Sequence, residues 1–533
     1  MNTGGTLGGN GIVGNTVING GILAPGNSIG TITVQGSLVF TAAAAYLVEV
    51  SSSASDLTNV IGVATLAGTV QVALTDGTLR FNSPYTILTA ATLNGSHFDS
   101  VATPTGISGS LIYSGSTVQL VLGSGLAQIA GLNINQRAVA TALDKAFNSF
   151  GSVPAGYGGI FVGNVPANLT QASGEPATGS QQTTFNAMNL FMGVMTDPLS
   201  AGRGGNAPGA PGFASEDFDT YAYAANGRKP ANAEGDAHAM ISKAPGPRGY
   251  EQRWSVWGAG YGGSQTTDGN AVQGSNTTTS RVAGVAVGAD YRISPFTQAG
   301  FALGGGGTDF VVANGLGSGR SDLFQAGAHV RHTAGAAYLS GALAYGWQDV
   351  TTNRIVTIAG SDQLRARFNA HAWAGRLEGG YRLIVPWAGT GITPYAAAQF
   401  TTFELPGYAE QVVAGADTFA LTYAARNVTS PRTEIGLRTD RSFAWVNSVL
   451  TLRSRFGWAH DYNIDRSVAA TFQTLPGASF VVGGASPARD AALASAGAEM
   501  RWLNGFSLAA TFEGEFSNVT SSYAGKGVVR YAW

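Results

Sequence analysis

From Trp254 to the end of the chain, apolar and polar residues alternate with a period of two. The alternating segments run about 10–15 residues and are separated by Gly, Pro, Asn, Asp and Ser clusters, the signature of strands joined by turns. The pattern predicts strands over 253–264, 278–293, 296–311, 320–334, 336–351, 365–383, 391–404, 427–442, 446–460, 489–503, 505–517 and 521–533. In the second, Ala283, Val285, Val287, Ala289 and Tyr291 share one face, and Gly284, Gly288, Asp290 and Arg292 share the other. The ninth sets Leu450, Leu452, Phe456 and Trp458 against Thr451, Arg453 and Arg455. The tenth and eleventh alternate in the same way, with Glu499, Arg501 and Glu513 on the polar side; the sixth is less regular, because His371 and Trp373 interrupt it.

An even number of such strands predicts a transmembrane antiparallel β-barrel. A basic side chain at the bilayer midplane costs about 2–4 kcal/mol, so the charged face must line a wet lumen. Asp290, Arg292, Glu434, Arg438, Arg453, Arg455, Glu499, Arg501 and Glu513 are therefore predicted to face inward. Trp254, Trp257, Tyr261, Tyr345, Trp347, Tyr381, Trp387, Tyr395, Trp458 and Trp502 are candidates for interfacial girdles. Glycines within the strands would let a helix pack closely against the wall.

The first 125 residues follow another rule. Short apolar pairs (Ile12-Val13, Val17-Ile18, Ile22-Leu23) recur between Gly and Asn, residues that accept the positive-φ corners of a coiled strand stack. Further strands are predicted at Tyr46–Val50, Val60–Leu66, Thr69–Leu74, Tyr85–Ala90, Leu111–Tyr113 and Val118–Leu122. Met1 falls inside this pattern, and Asn2-Thr3-Gly4-Gly5 offers no basic or apolar leader. The expectation is a piece of a longer gene product, lacking its N-terminal part and export signal.

Between the two regions lies a linker, 126–250. Asn135 is the expected N-cap of a helix through Phe147, with Val139, Leu143 and Phe147 on one stripe and Gly151 as stop. A second helix is expected over Phe185–Met195, capped by Thr183 or Thr184, and a Gly/Pro-rich connection over Gly202–Gly212. The Ala-rich segment near 231–244 is the candidate for a helix threaded through the pore, which at about twelve strands is near the 10 Å width of one helix.

The run Gly20-Gly21-Ile22-Leu23-Ala24-Pro25-Gly26-Asn27-Ser28-Ile29-Gly30 resembles the last coils of autotransporter passenger β-helices. So do Leu57–Leu74 and Tyr85–Ala90. The stretch Asn135–Ala140 is similar to an element between passenger and translocator, and Glu251–Gly258 to the first strand of the translocator barrel. The chain ends Val529-Arg530-Tyr531-Ala532-Trp533, and Val529, Tyr531 and Trp533 resemble the C-terminal signal read by the barrel-assembly machinery. The resemblance implies an all-β chain: a short right-handed parallel β-solenoid over 1–125, a helical linker, and a 12-stranded barrel over 251–533. Its implied role is an outer-membrane translocator that anchors and exports an N-terminal passenger to the surface of a Gram-negative cell. The implied partners are outer-membrane lipid, the assembly machinery and the chain's own passenger segment in the pore. The alternatives are a porin-like channel, a surface adhesin whose passenger is largely missing, or a soluble solenoid joined to a β-sandwich.

Composition narrows these choices. Charged residues make up 11% of 533, net charge is −2, and mean hydropathy is only +0.08. Soluble domains carry about 25% charge, and helical membrane proteins carry apolar runs of about 20 residues; an alternating barrel needs neither. No basic field suggests nucleic acid, and the absence of cysteine rules out disulfides. Gly26–Gly30 fits G-x-S-x-G and Gly258–Gly263 fits G-x-G-x-x-G, but each lies among strands, where neither nucleophile elbow nor dinucleotide loop forms. His97, His238, His329, His332, His371 and His460 lack metal spacing. No enzyme activity, cofactor or metal is expected. One chemical option remains: cleavage of the linker at Asn226 or Asn232 assisted by Glu434, Glu499 and Glu513. No Asn-Asn pair supports it.

Overall fold

The computed structural model describes residues 1–75, 79–196, 253–385 and 389–533. The proposed pore helix near 231–244, the 202–212 connection, Asn226, Asn232 and Trp387 lie outside the described residues.

Residues 6–102 wind into stacked coils whose strands form three parallel sheets. One stacks Thr6–Gly9, Ile22–Pro25, Ala45–Val50, Thr69–Leu74 and Ser100–Ala102. Side chains in register line the interior, as in the column Leu23, Tyr46, Val70. The corners are satisfied between coils: Asn10 Oδ1 accepts from Thr31 N–H and Asn15 Oδ1 from Ser37 N–H. Buried Asp56 accepts from the backbone N–H of Gly30 and Glu49, and burial pushes its carboxyl up to about 6. The G-x-S-x-G run is one such corner. Gly26 has φ +88°, and a Cβ there would stand 1.9 Å from Ser28 O, so glycine is required by the turn.

The last two predicted solenoid strands do something different. Ile107–Ser114 and Thr117–Ser124 form an antiparallel hairpin that closes the parallel stack. Such a hairpin pairs the final edge, which would otherwise present unpaired backbone groups.

Three α-helices follow: α1 (Ile134–Phe150), α2 (Val165–Ala172) and α3 (Gly179–Thr196). The N-cap of α1 is Asn133, not Asn135. Asn133 accepts from Gln136 N–H, and the Gln136 side chain returns the bond to Asn133 N–H, a capping box that Asn135 cannot make. Likewise α3 starts at Gly179, so Thr183 and Thr184 lie within it, their hydroxyls donating back to carbonyls one turn earlier.

The barrel closes from twelve antiparallel strands. They are β1 (Trp254–Thr267), β2 (Thr278–Ser294), β3 (Thr297–Val312), β4 (Gly317–Ala334), β5 (Ala337–Val356) and β6 (Asp362–Tyr381). The other half is β7 (Thr390–Leu405), β8 (Arg426–Trp445), β9 (Ser448–Asp461), β10 (Asp490–Trp502), β11 (Phe506–Phe516) and β12 (Thr520–Ala532). The seam runs in register from Ser255↔Ala532 to Thr267↔Thr520. At one end the connections are short, 295–296, 335–336, 446–447 and 503–505; at the other they reach 406–425 and 462–489. Short turns face the periplasm and long loops the exterior in outer-membrane barrels. The long loops build a further antiparallel sheet across the outer mouth, from Tyr408–Ala409, Leu421–Tyr423, Ser467–Phe472 and Ser479–Gly483.

Strand parity sorts the side chains. Val285, Val287, Leu343 and Leu377 are 55–65% exposed on the outer wall, while Ala286, Asp290, Ala342 and Glu378 are buried inside. His371 and Trp373 fall on the outward face with Leu377, so β6 alternates as regularly as its neighbours. The girdle assignment needs correction at three positions. Trp257, Tyr261 and Tyr395 have inward parity and are buried in the lumen. Tyr261 donates to Gln325 Oε1 there, and Arg438 stacks over the Tyr395 ring.

Candidate functional site: the occupied lumen

The helix inside the barrel is α3, GSQQTTFNAMNLFMGVMT, which has no charged residue. It lies against β1–β7. Its large side chains enter spaces that glycines leave open on three adjacent strands. A Cβ on Gly304 would stand 2.9 Å from Phe191, one on Gly327 2.6 Å from Met195, and one on Gly346 2.8 Å from Met188. Polar bonds fix the rotation of the helix: Asn186 Nδ2 donates to Ser280 Oγ, Thr184 bonds Gln348, and Gln399 Nε2 donates to Asn189 Oδ1. Gln325 Nε2 donates to the Ala187 carbonyl.

The opposite wall, β6–β12, carries the charge. Glu378 accepts from Tyr338 OH, from Arg376 at 2.9 Å and from Arg438 at 2.6 Å. Arg376 also reaches Glu434 at 2.7 Å, and Arg432 joins Glu434, Asp461 and Glu515. Arg453 pairs with Glu499 at 2.6 Å and Lys526 with Glu513 at 2.7 Å. Asp290, on β2, lies with His329 at 3.3 Å and with Arg530 of β12 at 3.7 Å. A cavity of about 170 Å³ separates this wall from the Asn186, Asn189 and Gly193 side of α3. The arrangement is a self-neutralised polar wall facing a neutral helix, with water-sized space between.

Of the inward residues expected from sequence, Asp290, Glu434, Arg438, Arg453, Arg455, Glu499 and Glu513 lie in the lumen. Arg292 and Arg501 share that parity but sit at the periplasmic strand ends, where they are exposed. The carboxylates Glu434, Glu499 and Glu513 are each held by a cation, as above. Arg376, Glu378, Arg432, Glu515 and Lys526 join them in the lumen, and the parity of β6, β8, β11 and β12 is the signal that places them inward. His329 and His332 fall on opposite strand faces, His332 bonding Thr297 outside. Among the described residues no group of His, Asp or Glu could hold a metal ion.

The linker is seated at the outer mouth. Asn135 Nδ2 donates to the carbonyls of Gly274 and Gly483, and its Oδ1 accepts from Gly483 N–H. Tyr157 OH donates to Thr418 O at 2.6 Å, its ring packed edge-on against Phe419 and Phe472 of the loops. Buried Arg354 binds Glu410 through two nitrogens and donates to the Gln171 carbonyl at the end of α2. Just before α3, Glu175 accepts from Asn276 N–H and Nδ2, both at 2.6 Å, and burial pushes its carboxyl up to about 7.

Val529, Tyr531 and Trp533 point outward on β12, 52%, 38% and 41% exposed. Tyr531 stacks on Trp533, and the backbone of Trp533 exchanges hydrogen bonds with Trp254.

Residues 256–513 match the family described as autotransporter beta-domain. The chain is 26% identical over 202 residues to an extracellular serine protease of Serratia marcescens, covering 37% of this chain and 18% of that protein. It thus spans about a fifth of that relative's length. Among solved structures, it resembles the translocator domain of NalP from Neisseria meningitidis at 17% identity and TM-score 0.43, covering 59% of this chain and 98% of that one. The beta domain of Bordetella BrkA is 18% identical with TM-score 0.40, covering 53% of this chain and 100% of that one.

Proposed function

We propose that this barrel, an outer-membrane translocator domain whose residues 256–513 match the autotransporter beta-domain family, exports the solenoid ahead of it to the cell surface. The observation that carries this reading is α3. A neutral helix, joined through α1 and α2 to the solenoid, lies within a closed barrel at the point where an exported chain would pass. The charged wall keeps its own ions paired, so a passing segment meets water and compensated charge without adhering to either sign. Folding of the coils beyond the mouth, and their seating on the loops through Asn135 and Tyr157, oppose return of the chain.

The partners of this reading are outer-membrane lipid along the apolar wall, the barrel-assembly machinery at Val529, Tyr531 and Trp533, and the passenger segment itself. The barrel family is a secretion apparatus rather than a catalyst. Protease activity belongs to the Serratia relative's name.

The test is surface proteolysis of cells expressing the full chain behind an export signal. Solenoid residues are expected to be cleaved by external protease in intact cells, and to stay protected when β12 is deleted. Equal cleavage with and without β12 would overturn the reading. A porin is separated by conductance: the intact chain is expected to conduct weakly and a deletion of 179–196 strongly.

A further inference from the structure

The outer wall carries a set of arginines that neither lumen nor passenger uses. Arg281 on β2, Arg320 on β4, and Arg365 and Arg367 on β6 all point outward and are exposed. Register aligns them. Arg281 stands opposite Asp309, Asp309 opposite Arg320, Arg320 opposite Thr351, and Thr351 opposite Arg367. They form one belt across five adjacent strands. Elsewhere on the outer half of the wall, outward positions carry Thr266, Glu404, Thr429, His460, Asp490 and Phe516 instead.

The belt lies at a defined height. Along the strands, the row Phe324–Trp347–His371 comes first, then Asp322–Asp349–Asn369, then Arg320–Thr351–Arg367. Aromatic side chains mark the interface of hydrocarbon and headgroups. The guanidiniums therefore stand at headgroup level on the exterior side. Polar neighbours hold two of them in place: Asp349 pairs with Arg367, whose side chain is still 72% exposed, and Asn353 Oδ1 accepts from Arg365 Nε. Four arginines against Asp309, Asp322 and Asp349 (4 − 3) leave one net positive charge.

We infer that this belt binds phosphate-bearing lipid headgroups of the outer leaflet, fixing one side of the barrel against anionic lipid. Guanidinium matches a phosphate bidentately, through paired N–H donors that a lysine lacks. The convex, open wall offers no enclosure for a free anion, whereas a headgroup is already held at this height by its acyl chains. The inference rests on the outer-membrane reading of the barrel but not on export.

The test is native mass spectrometry of the full chain released from phosphatidylcholine vesicles containing phosphatidate, a phosphomonoester lipid. The wild-type chain is expected to retain phosphatidate in excess over phosphatidylcholine. A basic residue at a lipid surface strengthens anionic-lipid binding roughly fivefold, so R320Q/R367Q should lower that retention by about tenfold or more. R441Q, a lone arginine at the periplasmic end of the outer wall, should lower it by no more than the roughly fivefold of one basic residue. The shift on boiling in a detergent gel reports that each variant is a folded barrel. Undiminished retention in folded R320Q/R367Q overturns the inference, as does equal retention of the two lipids by wild type. Loss of phosphatidate to millimolar inorganic phosphate would assign the belt to a free anion and overturn the lipid assignment. A barrel that inserts but fails to export leaves this result standing, which separates the two readings.

Discussion

Glu378 is the residue on which the lumenal network turns, because Tyr338, Arg376 and Arg438 all donate to it. Removing it takes from buried Arg438 its carboxylate partner, while Arg376 keeps Glu434. Breaking a buried pair from one side costs about 3–5 kcal/mol, and the adjacent water should hold the loss nearer the lower figure. Glu378→Ala is therefore expected to lower the temperature at which the folded band converts on a detergent gel, and Arg438→Met/Glu378→Met to recover much of that loss. Glu175 gives a pH-dependent case outside the membrane. Its folded pKa of about 7 lies above the usual 4.5, so the folded state holds its proton more tightly. Its contribution is complete below about pH 4.5 and is lost as pH rises through 7, by on the order of 3 kcal/mol. Protection of the 165–178 segment from protease should accordingly weaken from pH 5 to pH 8, and Glu175→Gln should flatten that dependence. These two acids differ in how visible they are in sequence. The parity of β6 marks Glu378 as inward, whereas nothing near Glu175 announces Asn276, which is distant in the chain and joined to it only by the fold.

At the scale of the element, strands were legible and the plug was not. Period-two alternation survives in each strand because one face meets lipid and the other water, a contrast written directly into residue type. It misplaced Trp257, Tyr261 and Tyr395 only where residue type was allowed to override parity: a large aromatic suits either an interface or a packed lumen. Helix α3 offers no such contrast. It is buried on most sides, its polar stripe of Gln182, Asn186 and Asn189 is short, and it lacks the charges that would suggest a charged partner. Its seat is made by Gly304, Gly327 and Gly346, which lie on three strands and become neighbours only through register. A side chain at any of them collides with Phe191, Met195 or Met188. Gly327→Leu is expected to push α3 from the wall and raise single-channel conductance in planar bilayers several-fold, while the barrel still shifts on boiling. Shortening Met195 to Ala in that background should bring the conductance back toward wild type. The cap of α1 makes a smaller claim: Asn133→Ala removes the side-chain acceptor of Gln136 N–H and should cost about 1 kcal/mol of solenoid-end stability by denaturant melting.

At the scale of the whole molecule, the barrel is a ring, and a ring depends on its last strand. The seam between β12 and β1 is antiparallel along its whole length, and without it both strands would expose unpaired edges within hydrocarbon, where each unsatisfied backbone group costs several kcal/mol. The backbones of the outward trio Val529, Tyr531 and Trp533 join that pairing, but their side chains take no part in it. These side chains face away from the lumen, and the Tyr531 ring packs on Trp533 and on Phe506. Backbone closure and side-chain display are therefore separable on one strand. Replacing the trio by serine (V529S/Y531S/W533S) leaves every seam hydrogen bond available, so the purified chain should refold in detergent to a heat-modifiable barrel within about 1–2 kcal/mol of wild type. In cells the same variant should accumulate severalfold less folded barrel, because the display offered to the assembly machinery is gone. If the defect is equal in detergent and in cells, the trio acts through stability alone and recognition at this strand end is not its role.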